Sequence, residues 1–445
     1  MIRRRKGEPG APGGARTPGV APTSVDEFAA PPIGAMRLGR TTSAPLATPA
    51  TGDEVYLERT GMPARVGRML GQGGQGAVFE LAAEGHKPLA LKWYHPRSAT
   101  RSQRAALVEL IERGAPSDRF LWPVDFVRPT AETTGLGYAM PLRPREYAGL
   151  VALVTGKVDA PFRTLATVGL ELSHAFLVLH NEGLCYRDIS FGNVFFEPAS
   201  GRVLVCDNDN VAINGTTSSA VRGTAYFMAP EVMRGEAVPS RNTDLWSLAV
   251  LLFYILLVHH PLEGRRALEH ACWDDAAMRD LFGEHPLFVF DPVDHSNEPV
   301  PDMHDNALVY WRLYPQFIRD LFTESFTAGI VDPEKRVGES VWRAAMARLR
   351  DTIVYCSSCG RQNIAEDLNH PPVCWRCGAT VALPAFLRFG RNLVALNHDT
   401  KVFGHHVHRD YDFTAPLAEV ARSPHDESLW GLRNLGPLTW QVATS

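Results

Sequence analysis

The residues best placed to do chemistry stand in Tyr186-Arg187-Asp188-Ile189-Ser190-Phe191-Gly192-Asn193, where a carboxylate precedes a carboxamide by five positions. A carboxylate can orient a hydroxyl and take its proton, and an amide oxygen can hold a divalent cation. These are two of the groups that a phosphoryl transfer needs, and one turn of chain supplies both. A second set is Cys356, Cys359, Cys374 and Cys377, two Cys-x-x-Cys-Gly knuckles separated by fourteen residues. Four thiolates so spaced fit a closed, tetrahedral, structural zinc site. Each glycine lets its knuckle turn so that backbone N–H groups face the sulfurs. The rival is a redox dithiol, but two pairs without a βαβ pattern suit it poorly. A segment of about thirty residues has little core of its own, so the metal would supply its folding energy.

Other elements must position the Asp188 stretch. Upstream, Gly71-Gln72-Gly73-Gly74-Gln75-Gly76-Ala77-Val78 carries glycines at G-x-G-x-x-G spacing between two apolar runs. Glycines let a strand-turn-strand flap lie close to an anion with its N–H groups facing it. A tight glycine hairpin and a dinucleotide-binding turn are the alternatives. The second needs a helix after the glycines, whereas Ala77-Val78-Phe79-Glu80-Leu81 reads as a strand. Leu89-Ala90-Leu91-Lys92 is an apolar strand that reaches a single lysine, which a helix carboxylate would hold in place. The helix over about 102–113 offers Glu109 and Glu112. Glu109 is preferred, because Ala105, Val108, Glu109 and Glu112 share a face.

Downstream, apolar spacing at Leu165, Val168, Leu172, Phe176 and Leu179 predicts a helix over 164–181 that leads into the Asp188 stretch. Asn193–Phe196 and Arg202–Cys206 read as a hairpin around Pro198-Ala199-Ser200-Gly201. Asp207-Asn208-Asp209-Asn210 ends its second strand. Strand position singles out Asp207, with Asp209 as runner-up. Further on come Gly223-Thr224-Ala225-Tyr226-Phe227-Met228-Ala229-Pro230-Glu231, Asp244-Leu245-Trp246-Ser247-Leu248 and Asp332-Pro333-Glu334-Lys335-Arg336.

Taken in order, these strings resemble a eukaryotic-type serine/threonine protein kinase domain over residues 61–350. They match its glycine loop, V-A-I-K lysine, H-R-D-L-x-x-x-N loop, D-F-G aspartate and A-P-E end. The resemblance implies an α+β, bilobal protein-kinase fold, with a small β-rich lobe, a larger helical lobe and ATP between them. It implies that Lys92, Asp188, Asn193 and Asp207 are catalytic, with Asn193 and Asp207 holding magnesium. ATP would contact Gly71, Gly73, Gly76, Val78, Ala90, Lys92 and Glu109. It would also meet a hinge at Met140, Pro141 and Arg143, where Pro141 keeps only its carbonyl. Glu231 would pair with Arg336, and Asp244 would cap the backbone of the Asp188 loop. Thr216, Thr217, Ser218 and Ser219 are candidate autophosphorylation positions, with Arg187 as the phosphate's partner. Three departures stand out: Tyr186 for the loop histidine, Ser190 for its lysine, and Asn208-Asp209 for Phe-Gly. They leave a nucleotide-binding pseudokinase scaffold as the alternative.

The 445 residues carry a net charge of −4, which gives no sign of a nucleic-acid-binding protein. Residues 1–55 are rich in Pro, Gly, Ala, Ser and Thr and read as a disordered arm. The kinase-like domain takes 56–350, the zinc ribbon 351–384 and a small β-rich module 385–445. No apolar segment follows the basic start, and the longest apolar run, Leu245–Val258, suits a buried helix, so a cytoplasmic protein is expected. The stretch from Val258 to Asp332 reads as long ordered loops. His259, His260 and His285 read as ordinary histidines, and His405, His406 and His408 as a surface cluster. Cys185, Cys206 and Cys272 read as buried core thiols. A kinase followed by such a ribbon resembles the kinases of tellurium-resistance-type stress gene clusters. That implies a protein substrate and, by analogy, a von Willebrand A protein and a PP2C phosphatase as partners.

Overall fold

The structure, a computed structural model, describes residues 48–129, 135–215, 223–390, 392–426, 428–437 and 439–440. Most of the expected N-terminal arm and all of Thr216–Ser219 lie outside the described residues. The chain divides into two units, one ending at Arg145 but including Leu204–Val211, the other Glu146–Val203 with Ala212 onward.

The first unit is a closed barrel of β1 (Glu54–Leu57), β2 (Pro63–Gln72), β3 (Gly76–Ala83), β4 (Leu89–Tyr94), β5 (Asp125–Pro129) and β6 (Gly137–Pro141), in the order β1-β2-β3-β4-β6-β5. One helix, α1 (Arg101–Arg113), accompanies it. Every residue of β4 is buried, because its two faces meet different cores. Leu89, Leu91 and Trp93 join the barrel interior with Phe79, Leu81 and Val127. Ala90 and Tyr94 point the other way, into a cluster with Leu107 and Ile111 of α1 and Tyr138 and Met140 of β6. The period of two therefore puts Lys92 on the α1 side of the sheet. Thr100 caps α1 by accepting from the Gln103 N–H at 3.1 Å. Gly114 ends the helix at φ +79 and returns its N–H to Leu110 O.

The second unit is mainly helical. It begins with β7 (Ala148–Gly149), α2 (Leu150–Val154), α3 (Phe162–Asn181) and β8 (Leu184–Cys185). Two short strands follow, β9 (Val194–Phe196) and β10 (Val203–Val205), the chain passing to the first unit within β10, and the Glu197 N–H closes the turn after β9 on Arg202 O at 2.9 Å. Next come β11 (Ala212–Ile213), α4 (Pro230–Met233) and α5 (Arg241–Leu257). A Ser240/Thr243 capping box starts α5, and fourteen of its seventeen residues are buried. Alone among the described helices, α3 is long and apolar enough to cross a membrane by length and composition, and most of that stretch is buried. It packs on α10 (Glu339–Asp351) so closely that a Cβ on Gly169 would lie 2.8 Å from Met346 Sδ.

The segment expected as long loops carries more helix than its Pro and Asp content suggested: α6 (Asp275–Arg279), α7 (Asp305–Leu313), α8 (Gln316–Phe326) and α9 (Ala328–Val331). Beyond α10 lie β12 (Ile353–Tyr355) and β13 (Gln362–Ile364), then a β14 (Phe386–Phe389)/β15 (Asn392–Ala395) hairpin. Last come β16 (Lys401–Phe403), α11 (Gly404–His408), β17 (Pro416–Arg422) and β18 (Trp430–Asn434), the three strands forming one sheet. Val354, Ala365, Val381 and Ala395 form a small core around Cys356 and Cys374, so the knuckles have more apolar support than their sequence suggests. Phe162 of α3 meets Trp375 edge-on with ring centroids 6.1 Å apart.

Candidate functional site: a lysine–carboxylate cluster, an Asp–Asn loop and a cysteine quartet

In the first unit, β2 and β3 run into the glycine turn with irregular register beyond Val66. Only one glycine there is demanded by packing: a Cβ on Gly76 would lie 2.2 Å from Trp93 O. Gly71, Gly73 and Gly74 face open space, so their lack of Cβ serves close approach from outside. The turn is tied down by Gly73 N–H to Gly76 O (2.9 Å) and by His95 N–H to Gln75 O (2.8 Å).

Lys92 sits opposite Tyr138 in the β4–β6 ladder. Its Nζ donates to Gln75 Oε1 at 3.0 Å and to both Asp209 oxygens at 2.9 Å, and lies 3.4 Å from Asp207 Oδ1. The Asp209 side chain is fully buried, whereas that of Asp207 is 37% exposed. Asp209 also accepts from the Tyr94 and Tyr138 hydroxyls, the first by a short hydrogen bond. Burial pulls the Lys92 pKa down, but the charges of Asp209 and then Asp207 outweigh it and leave it raised. Asp207 adopts φ +53, a left-handed conformation that Asp tolerates better than most residues. That turn separates the two carboxylates, one outward and one into the core. Asn208, where the kinase pattern has Phe, is buried and donates to Leu121 O at 2.9 Å and Val205 O at 3.1 Å.

The structure corrects one expectation here. Glu109 is exposed on α1 and does not hold Lys92; the lysine's carboxylate partners are Asp209 and Asp207. The inward face of α1 is Gln103, Leu107, Leu110 and Ile111. Gln103 Nε2 donates to Tyr94 Oη (3.1 Å) and to Asp209 O (3.2 Å). Val108, which suggested the other face, is 38% exposed. Val78, Ala90 and Met140 do come together, in the cluster on the α1 side of the sheet. Pro141 and Arg143 are half-buried at the end of β6, where Leu142 N–H donates to Pro88 O.

In the second unit, the Asp188 loop hangs on Asp244. The Asp244 carboxylate accepts from Tyr186 N–H (2.5 Å), Arg187 N–H (2.8 Å) and His180 Nε2 (3.1 Å). Arg187 is held at φ +74. Asn193 Nδ2 donates to Asp188 O (2.9 Å) and Oδ2 (3.2 Å), which leaves its amide oxygen as the acceptor for a cation. Thr224 Oγ1 donates to Asp188 Oδ1 at 2.8 Å. Gly223 before it needs φ +91 and stands 3.0 Å, at its would-be Cβ, from Arg187 O. Glu231 and Arg336 form a bidentate pair with both contacts at 2.8 Å, and Arg336 is buried.

The sequence reading missed His180, Arg241 and Glu339. Glu339 accepts from His180 Nδ1 by a short hydrogen bond and from Arg241 Nη2 at 2.9 Å. Burial pushes Glu339 up, but His180 and then Arg241 outweigh it and hold its carboxyl at about 2. Burial likewise pulls His180 down, yet its bonds to Asp244 and Glu339 leave its pKa raised.

Among the described residues, one set of side chains gathers as metal ligands do. The four sulfurs of Cys356, Cys359, Cys374 and Cys377 lie within 4.8 Å of one another. Cys356 and Cys377 are 3.7 Å apart, and Cys359 and Cys374 3.6 Å. Zn–S bonds of about 2.3 Å in a tetrahedron give sulfur separations of about 3.8 Å, so the quartet fits zinc. Gly360 (φ +69) and Gly378 (φ +74) make the knuckle turns. Burial would raise the Cys374 pKa, but the Cys377 and Arg376 N–H groups and the Asn363 amide bring it to about 6.

His405 and His406, expected at the surface, are buried. The first stacks on Tyr411, and the second bonds Phe403 N–H and Asp351. Burial holds His259 at about 4 and His260 at about 3, while His285 is exposed and bonded to Asp280. Of the three remaining cysteines only Cys185 is buried; Cys272 is exposed, in the irregular segment before α6.

Comparison with known proteins agrees with these motifs. Residues 136–307 match the protein kinase domain family, beginning just before β6. The chain is 23% identical over 313 residues to Protein kinase YegI of Escherichia coli K12, covering 67% of this chain and 46% of that protein. It is 29% identical over 213 residues to a putative serine/threonine-protein kinase of Caenorhabditis elegans, covering 46% and 47%. A putative protein kinase C delta type homolog of Drosophila melanogaster is 30% identical over 123 residues, 27% of this chain and 17% of its own length. The chain thus spans about half or less of the curated relatives it matches. The match to the protein kinase domain family covers residues 136–307, and the Asp188 loop and the Ala229-Pro230-Glu231 string lie inside it.

Proposed function

We propose that the protein transfers the γ-phosphoryl group of ATP to serine or threonine hydroxyls of a protein substrate, with magnesium. One observation carries the reading: an ammonium, Lys92, stands 3.4 Å from a partly exposed carboxylate, Asp207, and is tied to the glycine turn through Gln75. An ammonium and a carboxylate beside a glycine turn suit a polyphosphate and its cation respectively. Lys92 orients the phosphates. Asp207 and the Asn193 amide oxygen hold magnesium, which neutralises charge on the phosphates when bound. Val78, Ala90 and Met140 give the adenine an apolar wall, and the backbone at Pro141 and Arg143 its hydrogen bonds. Asp188 orients the acceptor hydroxyl and takes its proton. The Cys quartet holds a structural zinc with every position closed by sulfur, so it takes no part in the transfer. Autophosphorylation within Thr216–Ser219, a cytoplasmic location and the von Willebrand A and PP2C partners belong to this reading as proposals.

A second reading, a nucleotide-binding scaffold, has specific support in Ser190, which offers no cation after Asp188, and in Thr224, which occupies Asp188 Oδ1. Incorporation of labelled phosphate from ATP, compared between wild type and Asp188→Asn, separates the two. Catalysis predicts incorporation by wild type and its loss in the variant. Equal incorporation, or none in either, overturns it.

A further inference from the structure

We propose that Asp209 is the positioning residue for Lys92, and that this protein has moved the lysine's counter-charge from the helix to the segment that follows β10. The inference rests on the kinase reading above. In the general kinase template the lysine pairs with a glutamate of the small-lobe helix. Here the side chain of α1 nearest the lysine's partners is Gln103, an amide, and Glu109 is exposed on another face.

Asp209 is built for the task. Both its oxygens lie 2.9 Å from Lys92 Nζ, and one accepts from Tyr94 and the other from Tyr138. A carboxylate with both oxygens so engaged and no exposure cannot also serve a cation. Asp207 can, being 37% exposed. The two acids of Asp-Asn-Asp thus divide the work that elsewhere falls to a helix glutamate and a single aspartate. Gln103 holds Asp209 from behind, through its backbone carbonyl. The inward charge is therefore set by a residue two positions from Asp207 in sequence, with an amide of α1 rather than a carboxylate behind it. The glycine turn shares in this, since Gln75 bridges Lys92 and Asn210 at 3.0 and 3.2 Å.

The test uses the full chain and two readouts. The first is the rate of Lys92 acylation by a small amine-reactive ester at one fixed pH, read by peptide mass spectrometry; it needs no kinase activity. The second is kcat and KM for ATP in phosphate transfer. Asp209→Asn frees the amine from its two bonds to the carboxylate and should label Lys92 about tenfold faster. It should lower kcat about 10²-fold, as a displaced catalytic group does. Glu109→Gln should match wild type in both. Asp209→Glu keeps the buried charge, and so the fold, but displaces the amine. It should label Lys92 at about the wild-type rate and still lose about 10²-fold in kcat, and it carries the test if Asp209→Asn fails to fold. Unchanged labelling in Asp209→Asn, a shift in Glu109→Gln, or full kcat in Asp209→Glu overturns the proposal. A wild type that transfers no phosphate defeats the kinase reading instead, and the labelling still decides whether Asp209 holds Lys92.

Discussion

Buried charge is handled differently in the two units. In the second unit three acids near the Asp188 loop and after Thr224 are matched. Asp244 meets two backbone N–H groups and His180, Glu339 meets His180 and Arg241, and Glu231 meets Arg336 bidentately. In the first unit one ammonium faces two carboxylates, and the second of these is partly exposed. Matched charge fixes a fold. A partly exposed acid is open to a cation from solvent, and natural proteins keep such local departures where function needs them. The contrast separates acids that hold the structure from Asp207, the acid proposed above to take magnesium.

The largest effect that could break this contrast is in the Glu231–Arg336 pair. Arg336→Ala strands a carboxylate and should cost about 3–5 kcal/mol in stability, read by denaturant unfolding; a loss below about 1 kcal/mol would show the pair to be incidental. Asp244→Asn should cost less, about 1–3 kcal/mol, because the loop N–H groups keep one acceptor. It should also slow transfer, since the Asp188 loop is what those bonds position. Glu339 gives a pH signature. Its carboxyl lies at about 2 against an ordinary 4.5, so its contribution is full above 4.5 and is lost as the pH falls from there towards 2. Glu339→Gln should flatten that acid limb of thermal stability, and an unchanged limb would place the sensitivity elsewhere. The smallest effect is at Asp207. Asp207→Asn loses attraction to Lys92 and repulsion with Asp209 together, so stability should change by less than about 1 kcal/mol. A large loss would make Asp207 structural.

Much of this was legible in the residues. The glycine run, the lysine strand, the Asp188/Asn193 spacing and the cysteine knuckles are local patterns, and local backbone geometry dictates them. The choice of Lys92 partner was not legible. On α1 the apolar Val108 drew the face towards Glu109, while the barrel takes the Gln103/Leu107/Leu110/Ile111 face, a tertiary choice. In Asp-Asn-Asp a strand's period of two would put both acids on one side. The left-handed turn at Asp207 breaks that period, and short-range pattern cannot reveal it. The period of two along β4 did hold the missed clue that Tyr94 shares the face of Lys92.

The central claim is that Asp207 is the cation ligand of a phosphotransferase. The most direct measurement is the rate of phosphate transfer from ATP as magnesium is titrated, for wild type and Asp207→Asn at equal folded fraction. The account predicts a saturable magnesium dependence in wild type and a maximal rate lower by about 10²–10³ in the variant. Equal maximal rates with equal magnesium midpoints would contradict it.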